Sequence, residues 1–144
     1  MRNTLGGIVG AVEIRYSEGF SAGAFLALAG AVWPRDYDEP AVASSLAVTT
    51  NVGAWDGEVL VGSVRVLTDG HLFATIPELL VHPSYRHLGI GRELMRRALA
   101  VSPRQKLFFG AQPDAVGFFE RIGATPGPVG FELRGDAGLD RGPG

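Results

Sequence analysis

The sequence predicts a mixed α/β (α+β) domain in three layers, on three observations. Three apolar-rich runs between residues 51 and 81 are separated by Asp56-Gly57 and Asp69-Gly70, the punctuation of strands joined by tight turns. Residues 21–32 and 91–100 carry apolar side chains at helical spacing instead. Gly89 and Gly91 stand where the last of the three runs gives way to a helix. Strands followed by helices that must cover them make layers around one core.

The elements follow in order. Alternation over Val12 to Tyr16 predicts a first strand. Ser21 can cap a helix reaching Val32, with Phe25, Leu28, Ala29 and Val32 on one face, and Pro34 stops it. Asp38 or Glu39 opens a second helix with Pro40 in its first turn and Val42 and Leu46 inward. A strand begins at Asn51-Val52-Gly53-Ala54-Trp55, turns at Asp56-Gly57 and returns over Val59 to Leu67. After Asp69-Gly70 the run Phe73 to Val81 is the third antiparallel strand. The helix from Gly91 to Ala100 puts Leu94, Met95, Ala98 and Leu99 on one side and Arg92, Arg96 and Arg97 mostly outside. Lys106 to Gly110 is expected as a short strand parallel to the one ending at Val81, because a helix connects them. A last helix spans Pro113 to Ile122 with Gly123 as its C-terminal cap. Val129 to Leu133 is expected as a final strand. One domain over residues 11–134 is expected, between a loose N-terminus (1–10) and a flexible glycine-rich tail (135–144).

Composition excludes several function classes. A net charge of −2 argues against a broad nucleic-acid surface. With no cysteine there is no disulfide, thiolate metal site or cysteine nucleophile, and the scattered His71, His82 and His87 make no metal set. No run approaches the roughly 18 continuous apolar residues of a membrane span. The expected setting is cytoplasmic.

The chemistry lies in Arg86-His87-Leu88-Gly89-Ile90-Gly91. A helix start carries unpaired N–H donors and a partial positive charge, and glycine lets an anion approach the backbone. The turn reads as a pyrophosphate cradle. The nucleoside-triphosphate loop is excluded because no Gly-Lys-Ser/Thr follows, and the dinucleotide fingerprint lacks its third glycine in Gly89-Ile90-Gly91-Arg92-Glu93-Leu94. What fits at every position is Arg/Gln-x-x-Gly-x-Gly/Ala. This pattern resembles the pyrophosphate motif of the GNAT superfamily of acyl-CoA-dependent N-acetyltransferases. The run Glu78-Leu79-Leu80-Val81-His82-Pro83-Ser84-Tyr85-Arg86 is similar to that family's strand, proline turn and motif entry. A second block, Gln112 to Gly123, resembles its Asn-x-x-Ala-x-x-Phe-Tyr-x-Lys-x-Gly segment, matching at Ala115, Phe118 and Gly123 but carrying Phe119 where the family has tyrosine.

The resemblance implies a three-layer fold with splayed central strands, acetyl-CoA as cofactor, and direct acetyl transfer to a primary amine of a small molecule or peptide. It implies cofactor contacts from Leu79, Leu80, Val81, Arg86, His87, Leu88, Gly89, Ile90, Gly91, Arg92, Gln112, Phe118 and Phe119, with a backbone N–H near Leu80 or Val81 polarising the acetyl carbonyl. Pro77 would mark a distortion in that strand. Glu78 is the first candidate for the base, usually acting through water, and His82 the rival. The residues alone equally allow Glu78 to pair with Arg65, His82 to line the turn, and Arg86 to stack on Tyr85. Phe119 has no O–H, so the family's tyrosine acid does not carry over, and no spacing supports Tyr37 or Tyr85 as its substitute. The connector Trp33-Pro34-Arg35-Asp36-Tyr37-Asp38-Glu39 would wall the acceptor site, with Trp33, Asp36 and Tyr37 as candidate contacts or as helix caps and core seals. A homodimer stays open. The alternatives are a non-catalytic acyl-CoA-binding module and a domain for another phosphate ligand.

Overall fold

The computed structural model describes residues 12–136 and 138, so the 1–10 stretch and most of the expected tail lie outside the described residues. β1 (Ile14–Glu18) pairs antiparallel with β2 (Thr50–Asp56), from Ile14 opposite Asp56 to Glu18 opposite Val52. It begins later than Val12 because the ladder stops where β2 turns at Asp56. β2 pairs in turn with β3 (Val59–Thr68). Asp56 faces Val59, so the hairpin loop is Gly57-Glu58, one residue on from the Asp-Gly pair, with Gly57 at φ 59°. That left-handed position is what glycine supplies there.

Two helices precede the hairpin. α1 (Ala22–Val32) is capped by Ser21, whose Oγ accepts from the Ala24 N–H at 3.0 Å. α2 (Glu39–Leu46) is capped by Asp38, whose Oδ1 accepts from the Ala41 N–H at 3.0 Å, with proline in the first turn. Phe25, Leu28, Ala29 and Leu46 pack with Leu80 into one core cluster.

The run expected as one strand from Phe73 to Val81 is two. β4 (Ala74–Thr75) and β5 (Leu79–Val81) both pair antiparallel with β3, through Leu67–Thr75 and Val64–Leu79. Between those pairs β3 has only Arg65 and Val66, whereas the facing chain has Ile76, Pro77 and Glu78. The extra residue is a β-bulge, placed where Pro77 has no N–H to give a ladder. The distortion expected at Pro77 is therefore present.

α3 (Ile90–Ala100) buries Ile90, Leu94, Met95 and Ala98. A Cβ on Gly62 would meet Ile90 Cγ2 at 2.8 Å and Leu94 Cδ1 at 3.1 Å, so that glycine lets α3 sit on β3. Gly62 faces α3, and side chains alternate across a strand. Ser63 and its partner Leu80 therefore face the α1/α2 side. Leu99, expected inside, is 38% exposed, because the helix narrows its contact to the Leu94–Ala98 stripe. Arg97 covers the Tyr16 ring at 4.7 Å, and burial raises the Tyr16 phenol pKa.

The expected strand at Lys106–Gly110 is reduced to one parallel bridge, Thr75–Phe108, in which the Phe108 N–H donates to the Ala74 carbonyl at 3.1 Å. It meets β4, the first part of the run that ends at Val81, and not β5. The bulge separates the two short strands, so a neighbour that follows β4 does not follow β5.

The chain divides into two compact units, Met1–Phe109 and Gly110–Gly144. In the second, the expected 113–122 helix is a 3-10 turn, Pro113–Ala115, followed by α4 (Val116–Arg121). Gly123 at φ 100° closes α4: its N–H donates to the Glu120 carbonyl at 3.1 Å and that of Ala124 to the Phe119 carbonyl at 2.9 Å. That pair of bonds is a Schellman cap. Val129 to Leu133 is not a strand: the segment has no ladder partner among the described residues, and Phe131 is 95% exposed. Alternation alone predicts a strand, but a strand needs a neighbour to satisfy its backbone.

Candidate active site

The turn into α3 is open to an anion. His82 opens a 3-10 turn, Pro83–Tyr85, and the chain then passes through left-handed conformations at His87 (φ 66°) and Gly89 (φ 81°). Left-handed residues alternating with ordinary ones line successive N–H groups into a concavity. Gly89 is the N-cap of α3 and has no side chain to cap it. No described residue accepts from the N–H groups of Gly89, Ile90, Gly91 or Arg92. These are the four donors that a helix start leaves unpaired. A Cβ on Gly89 would meet nothing within 4 Å, so glycine stands there for its φ and for access rather than for packing.

The cations around this turn differ in availability. Arg96 and Arg97 are both held by Glu93, at 2.6 and 2.8 Å, and those bonds, Arg96 first, lower the Glu93 pKa to about 2. Arg92 has no ion-pair partner among the described residues. Arg86 does not stack on Tyr85; its Nε donates to the Val81 carbonyl at 3.2 Å.

β5 has an outer edge that no strand covers among the described residues. The bonds His82 N–H to Val61 O (2.8 Å) and Arg65 N–H to Glu78 O (3.4 Å) fix the phase of its ladder with β3. Antiparallel pairs alternate between bonded and non-bonded. The Leu80 amide is thus used by Ser63, while the N–H groups of Leu79 and Val81 point away from β3. No strand pairs with β5 on that side among the described residues. Of the two amides expected to polarise a carbonyl, Val81's is the one presented.

Glu78 lies at the bulge and Arg65 faces it across the ladder. Arg65 Nε donates to Oε2 at 2.5 Å and Nη2 to Oε1 at 2.7 Å, with both side chains about one-eighth exposed. The pairing weighed from the sequence is present, and it uses two of about four carboxylate lone-pair sites. Arg65 Nη1 also donates to Ser45 Oγ on α2 at 2.6 Å. His82 Nδ1 accepts from the Ser84 N–H at 3.0 Å, so its basic nitrogen is engaged in holding the turn.

A cavity of about 270 Å³ opens beside this pair, between the α1–α2 connector, α2 and β3. Its apolar side is Phe25, Val42 and Leu46, and Arg65 and Ser45 line it too. Of the three acceptor-site candidates, Asp36 and Tyr37 line it and Trp33 does not. Trp33 instead supplies the carbonyl that takes the Tyr37 O–H at 2.8 Å. Arg35 and Asp38 of the same connector also line the cavity, and of these only Arg35 lies outside the connector's aromatics and acids. Ser45 was readable too, one helical turn from the inward Val42. Arg35 lies over the Tyr37 ring at 5.0 Å. Tyr85 donates its O–H to Asp56, and that bond raises its pKa. Both tyrosines considered as proton donors are therefore turned onto the protein's own acceptors.

Gln112, Phe118 and Phe119 belong to the second unit. Gln112 precedes the 3-10 turn and takes the Ala115 N–H on its carbonyl at 2.8 Å, and the two phenylalanine rings meet edge-on at 5.1 Å. Among the described residues there is no group of side chains that could hold a metal ion, and no helix is long and apolar enough to cross a membrane.

Known proteins bear on these features. An uncharacterized N-acetyltransferase, ycf52, of Porphyra purpurea is 30% identical over 76 residues, 51% of this chain and 44% of that protein. The chain thus spans about half the length of the curated relatives it matches. Two solved structures share the fold. A GNAT-family acetyltransferase of Streptococcus pneumoniae has a TM-score of 0.67 at 24% identity, covering 85% of this chain and 99% of its own. An aminoglycoside N-acetyltransferase in complex with CoA has a TM-score of 0.68 at 11% identity, covering 88% and 97%. The model of the acetyltransferase (GNAT) family matches residues 9–124, and the chain belongs to that family.

Proposed function

We propose that this chain transfers an acetyl group from acetyl-CoA directly to a primary amine. The observation that carries the reading is two sets of unused backbone donors: the four N–H groups of Gly89 to Arg92, and the Val81 N–H on the edge of β5 that no strand covers. The residues fit the cofactor: a diphosphate needs clustered donors without side chains in the way, and a thioester carbonyl needs one fixed N–H. The CoA complex of a fold relative supports the same cofactor.

Acetyl-CoA supplies a thioester whose carbonyl carbon bonds to the amine nitrogen as the C–S bond breaks and its electron pair leaves with sulfur. The chain's part is to hold and to move a proton. Gly89 to Arg92 would bind the diphosphate, with Arg92 on the first turn of α3 as a cation without an ion-pair partner among the described residues. The Val81 N–H would donate to the carbonyl oxygen. Glu78 would take the proton lost by the amine, through water, with the lone pairs that Arg65 leaves. His82 is the lesser candidate because its Nδ1 already accepts the Ser84 N–H. The cavity beside Arg65 would receive the acceptor, and its 270 Å³ suits a small amine or the end of a side chain.

The test is release of free CoA thiol from acetyl-CoA with benzylamine, tyramine, lysine and spermidine. Amine-dependent release that Glu78→Gln lowers about 100-fold, with CoA affinity unchanged, supports the reading. Undiminished turnover in Glu78→Gln removes Glu78 from it. One observation favours a second reading, a non-catalytic acyl-CoA-binding module. Phe119 lacks the hydroxyl, and Tyr37 and Tyr85 are committed elsewhere. CoA binding with no thiol release for any amine would select it.

A further inference from the structure

The geometry points to Arg65 as a positioning residue that fixes the carboxylate of Glu78 and ties it, through Ser45, to the wall of the acceptor cavity. This rests on Glu78 acting as the base.

Three contacts carry it. The β5 register sets Glu78 two residues from Leu80, on the α1/α2 side and cross-strand from Arg65. The Arg65 fork then makes two bonds to the two carboxylate oxygens, at 2.5 and 2.7 Å, and so fixes the plane of the group. The third guanidinium nitrogen is anchored to Ser45 Oγ at 2.6 Å, and the Phe25 ring lies beneath the guanidinium at 5.8 Å. An unheld glutamate has several rotamers. Here rotation would break two charge-assisted bonds in a site about one-eighth exposed. A lysine could not replace the fork, because an ammonium is a point donor without fixed planar geometry. Ser45, Arg65 and Phe25 also line the cavity, so a shift of α2 on acceptor binding would be felt at Glu78 through the Arg65 guanidinium.

The experiment is a double-mutant cycle on kcat, with acetyl-CoA and the most active amine of the four above. Arg65→Met is expected to lower kcat about 10- to 100-fold with KM for acetyl-CoA unchanged. Arg65→Lys should recover only part of the loss. In the Glu78→Gln background Arg65→Met should cost less than about threefold more, because the group it positions is gone. If the two losses multiply instead, Arg65 acts on its own and the proposal fails while the function stands. If Glu78→Gln is as active as wild type, or no amine gives turnover, the base assignment fails and this proposal with it. Should Arg65→Met not fold, Ser45→Ala decides on the same cycle: a severalfold loss of kcat in wild type that vanishes in Glu78→Gln supports the relay, and an equal loss in both contradicts it.

Discussion

Gly89 allows the anion cradle to be tested by charge alone. It is exposed, sits at φ 81°, and has nothing within 4 Å of where a Cβ would stand. A side chain there costs about 1–2 kcal/mol of left-handed strain but meets no wall. Gly89→Gln and Gly89→Glu should both fold, each melting roughly 3–8 °C lower. They share bulk and strain and differ by one charge. A carboxylate about 5 Å from one phosphate charge repels it by about 0.8 kcal/mol at the dielectric of water and about 3 kcal/mol at an effective value of 20. Two phosphate charges at that range imply a CoA Kd at least about tenfold weaker for Gly89→Glu than for Gly89→Gln. The ratio should shrink as salt is raised, because the site is open to solvent. Calorimetry with CoA at low and high salt reads both quantities. Equal Kd values for the two variants, within about twofold, would mean that no anion sits at the start of α3.

Other expectations concern stability. Leu94 is fully buried between α3 and the sheet, so Leu94→Ala should cost about 2–5 kcal/mol, read as a lower urea midpoint. Asp69 accepts from the N–H groups of His71, Leu72 and Phe73, and these bonds lower its pKa from 3.8 to about 2. Its folded pKa lies below the unfolded one, so its contribution is present above about pH 3.8 and lost as pH falls towards 2. Asp69→Asn keeps an acceptor oxygen without the titration, and the stability gap between wild type and variant should therefore narrow over that interval in acid titrations followed by circular dichroism.

Local signals in the sequence carried over where the physics is local. Ser21 and Asp38 cap their helices because a side-chain oxygen three residues upstream of an amide reaches it in any context. Gly123 closes α4 by its left-handed φ. The glycine turn was legible for the same reason. What depends on partners distant in the chain was not. Pro77 announced a distortion, but only the register against β3 shows that the strand splits and that the following run joins β4 alone. Val129 to Leu133 alternates like a strand yet has no ladder. Arg65 and Glu78 stand thirteen residues apart, and which of their alternatives holds depends on hairpin register, not on either residue. The cavity joins the connector and α2 to Phe25 of α1 and Arg65 of β3, so no single stretch of sequence announced it.

The most direct test of the central claim is an amide map: ¹⁵N–¹H spectra of the full chain titrated with CoA. The account predicts the largest shifts at Gly89, Ile90, Gly91, Arg92 and Val81, with Leu80 moving less because its amide is already bonded to Ser63. Shifts that avoid the start of α3, or an unchanged spectrum at millimolar CoA, would contradict it.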